Sequence, residues 1–390
     1  MTEQVRKDLE SAVERFREML IEQYERNERI EKEASGAVAS EEASAKGPVR
    51  IGFAEGDGIG PIIMKETIDV LTELLADELE AGTVEFVTID GFKIERRLEL
   101  GETVPADVLE QMLACDVILK GPTTTPNAAS GGKNLESANV FLRKKLDLFA
   151  NVRPVCVPEE GIDWTFFREN TEGEYALGSR GVRLGDEMAV DFKVTTRGGS
   201  ERIARAAYEF ARVNGKKRVS IVTKANIMKK TDGDFQSICL KVAEEYPEIE
   251  TDCWFVDIMA ANLVNTDIRS QFEVFVLPNL YGDIITDEAA QIQGGVGTAG
   301  SANIGSRHAI FEAIHGSAPR MVEEGIADLA NPASLMTAAV MMLRHIGLTD
   351  KANSLEAAVA KADEELGAKM TGLPGGASCK EFANIVRAYK

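Results

Sequence analysis

The chain has 390 residues, 44% of them hydrophobic, with a net charge of −20 and a pI near 4.8. That is chain enough for two or three domains and apolar enough for a real core, which excludes a disordered protein. The acidic balance argues against nucleic acid or an anionic membrane as a partner, so an anionic substrate would need a local cluster of Lys and Arg. Five scattered cysteines with no C-x-x-C pair imply reduced thiols. No apolar run approaches the roughly 18 residues of a membrane span, and the acidic N-terminus is neither a secretory signal nor a transit peptide. The expectation is a soluble, cytoplasmic protein.

Residues 1–35 open with a highly charged segment in which Val5, Leu9, Val13, Phe16, Leu20 and Tyr24 recur at spacings of three and four. That is one apolar stripe of a helix, and Glu22/Arg26, Glu25/Arg29 and Glu28/Lys32 add i,i+4 pairs worth about 0.3–0.5 kcal/mol each. The helix is expected to pack on its own domain or to make a subunit contact. Residues 36–48 are small, polar and without period, a flexible linker. The folded body starts at Val49 with the strand Val49–Ala54, a glycine-rich turn at 55–61 and an amphipathic helix through Leu75. This turn is not a dinucleotide fingerprint, because Pro61 stands where the last glycine should be. Gly295-x-Gly297-x-x-Gly300 does match that pattern, but it follows a helix rather than a strand, so the Rossmann reading fails.

Strand and helix then alternate: a strand at 84–90, a helix near 105–114, the strand 117–120, a loop from Gly121 through Gly132, and a helix around 136–146. Alternation of this kind predicts an α/β fold with a largely parallel sheet. Past Arg153 the texture becomes richer in aromatics, glycines and short β-like runs such as 164–167 and 188–194. A helix at 200–213, a strand at 219–223 and a helix at 232–245 follow. The expected organisation is a large α/β domain, 47–148 with 298–390, into which a second α/β domain, 149–297, is inserted.

The most informative stretch is Asn279-Leu-Tyr-Gly-Asp283-Ile-Ile-Thr-Asp287. It follows an apolar run, 272–278, that reads as a buried strand. Two aspartates four apart at a strand-to-helix junction can present carboxylates to one side, hard oxygen ligands suited to Mg²⁺ or Mn²⁺. In isolation the pair would more often be an N-cap and a solvated side chain.

Several motifs coincide in order with that stretch. They are E-G-D-G-I-G-P at 55–61, S-A-N-V-F-L-R at 137–143, N-V-R-P at 151–154, R-E-N-T-E-G-E-Y at 168–175, K-A-N-I-M-K at 224–229 and V-D-I-M-A at 256–260. N-L-Y-G-D-I-I-T-D at 279–287, G-S-A-N-I-G at 300–305, H-G-S-A-P at 315–319 and A-N-P at 330–332 complete the series. Over about 49–390 the chain resembles the isocitrate/isopropylmalate dehydrogenase family of metal-dependent decarboxylating dehydrogenases.

That resemblance implies a set of roles. Arg143, Arg153 and Arg168 would clamp substrate carboxylates through paired N–H donors. Asp283 and Asp287, with Asp257 from a partner subunit, would hold Mg²⁺ or Mn²⁺, and the assembly would be a homodimer with shared active sites. Lys224, also from the partner, would take the hydroxyl proton and Tyr175 would protonate the enolate carbon. Both have ordinary pKa values near 10, so a site using Lys224 as a base must depress it. Lys120, Thr125, His315, Gly316, Ser317, Ala318, Arg320 and Asn331 would contact the nicotinamide cofactor.

Ser137 and Asn139 match the isocitrate enzymes, where isopropylmalate enzymes carry apolar residues; donors left unpaired by an isopropyl group discriminate against it. Glu136 departs from that pattern by placing an acid beside an anionic substrate. At 320, NAD enzymes resemble Asp, and the Arg320 found here suits a 2′-phosphate, which favours NADP over NAD. Met321 replaces the usual second phosphate ligand and weakens that preference. The alternatives are 3-isopropylmalate, homoisocitrate or tartrate as substrate, or a regulatory subunit; the retained Tyr175, Lys224 and three aspartates oppose the last. Deletion of residues 1–46 is expected to spare the chemistry.

Overall fold

A computed structural model describes residues 2–35, 47–126, 135–178, 180–295 and 297–390. Most of the expected linker and the end of the loop at Gly131-Gly132 lie outside the described residues. Two compact units form, Met1–Ala45 with Cys156–Glu288 and Lys46–Val155 with Ala289–Lys390.

In the first unit, α1 (Glu3–Ser35) is the long helix its periodicity predicts, and it packs on its own unit, though not through the whole of its apolar stripe. Met19, Gln23 and Ile30 are buried, whereas Leu9, Val13, Leu20 and Tyr24 of the apolar stripe stay exposed. Of that stripe, Phe16 stacks on Phe192 with ring centroids 4.7 Å apart.

The second unit begins with β1 (Val49–Ala54), α2 (Gly60–Leu74), α3 (Ala76–Glu80) and β2 (Val84–Thr88). It continues through α4 (Ile94–Leu100), α5 (Ala106–Leu113), β3 (Val117–Lys120), α6 (Ala138–Lys145) and β4 (Ala150–Val157). The glycine-rich turn is packed against protein. Gly58 has φ +59°, and a Cβ there would lie 1.9 Å from the Ser317 carbonyl oxygen, so only glycine fits. Asp57 fills the turn: its carboxylate accepts the N–H of Ile94 and of Thr124, each at 2.7 Å. Burial pushes that carboxyl up from its ordinary pKa, against the pull of these two N–H groups and of Arg97.

The rest of the first unit comprises β5 (Ile162–Glu169), the antiparallel hairpin β6 (Val182–Leu184) and β7 (Met188–Val190), α7 (Arg197–Val213) and β8 (Arg218–Thr223). Then come α8 (Thr231–Ala243), β9 (Glu250–Phe255), α9 (Val256–Val264), β10 (Val274–Leu277) and α10 (Asn279–Ile292). The strands run β5-β10-β8-β9, all parallel. Buried strands of this kind are apolar throughout, as β10 is. Its Phe275 stacks on Phe166 at 4.3 Å, with Trp164 edge-on. The β-like run at 188–194 yields only the short β7; Phe192 and Val194 beyond it pack against Met19, Ala176 and Leu177.

The second unit closes with β11 (Gly300–Ile304), β12 (Ala309–Ala313), α11 (Pro319–Glu323), α12 (Ala333–His345), α13 (Thr349–Leu366) and α14 (Cys379–Tyr389). Its strand order is β2-β1-β3-β12-β11-β4, parallel through β12 and antiparallel on both sides of β11. All five cysteines are free thiols, and among the described residues no helix is long and apolar enough to cross a membrane.

Candidate active site

The two aspartates of the central stretch lie within α10 rather than at its leading junction, because the helix starts at Asn279 immediately after Pro278. They remain one turn apart. Ile285, Thr286, Ala289 and Ala290 turn the helix's other side inward, leaving Asp287 exposed and Asp283 38% exposed. Arg168, at the end of β5 and 1% exposed, reaches Asp283 with Nη1 to Oδ1 at 2.5 Å. A Cβ on Gly282 would lie 2.5 Å from Cγ of Arg168, so the glycine of N-L-Y-G-D is what lets the arginine pass. Asn279 Oδ1 accepts both Nε (3.0 Å) and Nη2 (2.7 Å) of Arg168. The Tyr175 hydroxyl donates to the second Asp283 oxygen at 2.8 Å, and the guanidinium carbon stands 5.4 Å from the centre of its ring. Tyr175, Arg168 and Asp283 therefore form one connected group.

Lys224 and Asp257 form another, in the same unit. Their side chains pair directly, and that bond from Lys224 holds the Asp257 carboxyl below its usual range. Lys224 is positioned through its backbone, whose N–H donates to Asp232 at 2.7 Å. Asp232 is fully buried and paired with Lys193 at 2.5 Å. Among the described residues no three His, Cys, Asp or Glu side chains gather as a metal cluster, so one chain does not bring Asp257 to Asp283 and Asp287. Those last two fit a hydrated Mg²⁺, which takes one or two carboxylates and keeps several waters.

In the second unit, Lys120 at the end of β3 and Arg143 on α6 converge on Glu312 of β12. Lys120 Nζ lies 2.8 Å and Arg143 Nη2 3.5 Å from its carboxylate, and Asn303 donates to it at 2.7 Å. Burial alone would raise the Glu312 pKa, but Lys120 and then Arg143 overcome it and hold the carboxyl at about 2. Arg143 Nε is buried with no hydrogen-bond partner among the described residues, a donor suited to an incoming carboxylate. Asn139 lines the same small cavity and accepts from the Thr123 hydroxyl at 3.1 Å. Ser137 is the half-buried N-cap of α6 and makes no side-chain capping bond. Arg153 is buried on β4.

A cleft of about 450 Å³ in this unit is lined by His315, Gly316, Ala318, Met321 and Asn331 among others, within the usual range for small-molecule sites. Burial lowers the His315 pKa, so its ring is neutral near pH 7. Its Nδ1 lies 3.0 Å from the Gly316 carbonyl and so carries the proton. Nε2 is buried without a partner among the described residues, an acceptor that fits a cofactor's N–H. Ser317 points away from the lining, its hydroxyl 2.7 Å from that of Thr124. Thr125 is exposed. Arg320 is exposed on α11, outside the lining, with Nε 2.5 Å from Glu324. Glu312, Asn279 and Asp232 escaped the reading of the sequence. Asn279 at least carried a signal, since it opens the motif that contains both aspartates.

The family described as isocitrate/isopropylmalate dehydrogenase matches residues 50–386. The chain is 40% identical over 340 residues to the isocitrate dehydrogenase [NAD] subunit alpha, mitochondrial, of Macaca fascicularis, covering 85% of this chain and 92% of that protein. It is also 40% identical over 324 residues to isocitrate dehydrogenase [NADP] of Rickettsia felis, covering 81% of this chain and 63% of that one. The crystal structure of an isocitrate dehydrogenase from Methylococcus capsulatus superposes with a TM-score of 0.75 at 34% identity, covering 87% of this chain and 98% of that chain.

Proposed function

As the chain belongs to the isocitrate/isopropylmalate dehydrogenase family and is most like its isocitrate dehydrogenases, we propose that it converts isocitrate to 2-oxoglutarate and CO₂ with hydride transfer to NAD(P)⁺. The observation that carries this reading is the Arg168–Asp283–Tyr175 group. A buried guanidinium, a half-exposed carboxylate and a phenol that already carries its proton are what decarboxylation followed by protonation requires. Arg143, Arg153 and Arg168 bind substrate carboxylates, and Ser137 and Asn139 offer hydrogen bonds to the one that distinguishes isocitrate. Lys224 of a second copy takes the proton of the substrate hydroxyl as hydride leaves the carbon that bears it. Tyr175 delivers its phenolic proton to the carbanionic carbon once CO₂ has departed.

Asp283 and Asp287, joined by Asp257 of a second copy in a homodimer, would hold Mg²⁺ or Mn²⁺, which when bound would supply Lewis-acid polarisation of the substrate's oxygen atoms. The cleft lined by His315 and Asn331 would take the nicotinamide cofactor, with NADP favoured. The exposed Arg320–Glu324 pair contributes at most about 1 kcal/mol and is readily exchanged for a 2′-phosphate. Relatives of both cofactor types stand at 40% identity, so this preference rests on Arg320.

The reading is tested by 2-oxoglutarate formation from isocitrate with and without added Mg²⁺, in the wild-type chain and in Tyr175→Phe. The expected result is metal-dependent product and a loss of about a hundredfold or more in the variant, the scale of general acid catalysis. An active Tyr175→Phe would remove Tyr175 from the chemistry. A chain that forms no product would favour the regulatory-subunit reading.

A further inference from the structure

Helix α1 precedes the residues that match the family, yet it is built into the segment that carries Tyr175. Arg26 Nη1 donates to Glu172 Oε1 at 2.7 Å and Nη2 to the Thr171 hydroxyl at 2.6 Å. The pair is enclosed, with side chains 16% and 3% exposed. Two turns earlier on the same face, Met19 is buried against Ala176 and Leu177. Tyr175 therefore lies between a polar anchor at 171–172 and an apolar one at 176–177, both supplied by α1.

The anchored segment has little freedom. The Glu172 carboxylate also accepts the Thr196 N–H at 2.8 Å and the Thr196 hydroxyl. A Cβ on Gly199 would lie 2.3 Å from Glu172 Oε1, so helix α7 closes that side. Through its backbone, the Glu172 carbonyl accepts Asn279 Nδ2 at 3.0 Å, and Asn279 is the residue that holds Arg168 against Asp283. Glu172 also shares its burial with Glu169, whose carboxylate accepts the N–H groups of Thr171 (2.9 Å) and Glu172 (2.7 Å). Arg202 reaches the Thr171 hydroxyl at 3.2 Å. Arg26 is in direct ion pair with Glu172.

We infer that α1 is a positioning element for the reaction, with Arg26 and Met19 fixing residues 171–177 so that the Tyr175 hydroxyl stays on Asp283. On this account residues 1–46 are not dispensable, contrary to the expectation from sequence. The role rests on Tyr175 being the proton donor proposed above.

The test compares full-length wild type with Arg26→Ala, Arg26→Lys, Met19→Ala and Glu3→Gln. Steady-state kinetics with isocitrate and backbone hydrogen exchange over residues 170–178 are the two readouts. Glu3 pairs with the exposed Lys7 at the start of the helix and serves as the control. Arg26→Ala is expected to lower kcat about tenfold or more, the scale of a displaced catalytic group, with KM within about twofold. Amides 171–178 should exchange faster. Arg26→Lys, which keeps the charge and one of the two bonds, should recover part of both effects, and Glu3→Gln should change neither. If Arg26→Ala does not fold, Arg26→Lys and Met19→Ala carry the test, each with reduced kcat and faster exchange at 171–178. Unchanged kcat with unchanged exchange, or a rise in KM alone, overturns the inference. If wild type does not turn over isocitrate but exchange at 171–178 still responds to Arg26, the anchoring stands and the assigned reaction falls.

Discussion

The two units each hold a cluster of opposed charges, and they are built differently. In the first, Arg168 pairs with Asp283, and the carboxylate is 38% exposed while the arginine side chain is 1% exposed. In the second, Glu312 faces two cations, Lys120 and Arg143, with both ion-paired partners and the carboxylate itself enclosed. The first cluster presents negative oxygen outward, which suits a divalent cation and a proton relay. The second carries an excess of buried positive charge with an idle Arg143 donor, which suits a substrate carboxylate. A chain of net charge −20 thus concentrates two buried cations at one point, as binding of the proposed anionic substrate would need.

The sharpest way to break the contrast is Asp283→Asn. It removes the proposed metal ligand and the carboxylate that accepts from Tyr175, and should cost about a thousandfold or more in kcat, the several kcal/mol that a metal clamp would supply. Circular dichroism should report an unchanged fold; near-wild-type turnover would remove Asp283 from the metal site.

Glu312→Gln makes the same carboxylate-to-amide change in the second unit, leaving Lys120 buried beside an uncharged partner. Urea unfolding should show a loss of about 3–5 kcal/mol, as for other broken buried pairs. The pH dependence carries a sign. The folded pKa of about 2 is depressed from the ordinary 4.5, so this carboxylate stabilises fully above about pH 4.5 and progressively less as pH falls towards 2. Glu312→Gln should flatten the stability profile across that window, and an unaltered profile would deny Glu312 its place in the network.

Smaller effects sharpen the substrate side. Asn139→Leu combined with Ser137→Val should lower kcat/KM for isocitrate by about a hundredfold, because a site that loses donors to a polar group discriminates against it. Unchanged kcat/KM would separate α6 from substrate choice. Smallest of all, Arg320→Asp should shift the NADP⁺ to NAD⁺ ratio of kcat/KM by about tenfold towards NAD⁺, the value of one exposed charge-assisted contact. No shift would mean that Arg320 is occupied with Glu324 alone.

Most strands and helices were legible because buried β-runs and amphipathic helices announce themselves by period, as β3, β10 and α7 do. The candidate site was legible where a motif holds its residues close in sequence, as with Asp283 and Asp287, whereas Asn279 opens that same motif and was passed over. Glu312 was hidden for the converse reason: it sits in a five-residue strand with no ligand-like spacing, and only the pairing of β12 beside β3 brings Lys120 to it. Helix α1 misled in a different way. Its apolar stripe is what periodicity detects, but the unit grips the neighbouring face through Met19, Arg26 and Ile30, and the ion pair of a half-buried arginine leaves no trace in a hydrophobic pattern.

The most direct measurement of the central claim is the initial rate with D-isocitrate and Mg²⁺ or Mn²⁺, taken with NAD⁺ and NADP⁺ in parallel and with 3-isopropylmalate as the competing substrate. The account predicts metal-dependent oxidation of isocitrate, faster with NADP⁺, and little or no rate on 3-isopropylmalate. Turnover of 3-isopropylmalate without turnover of isocitrate would contradict it.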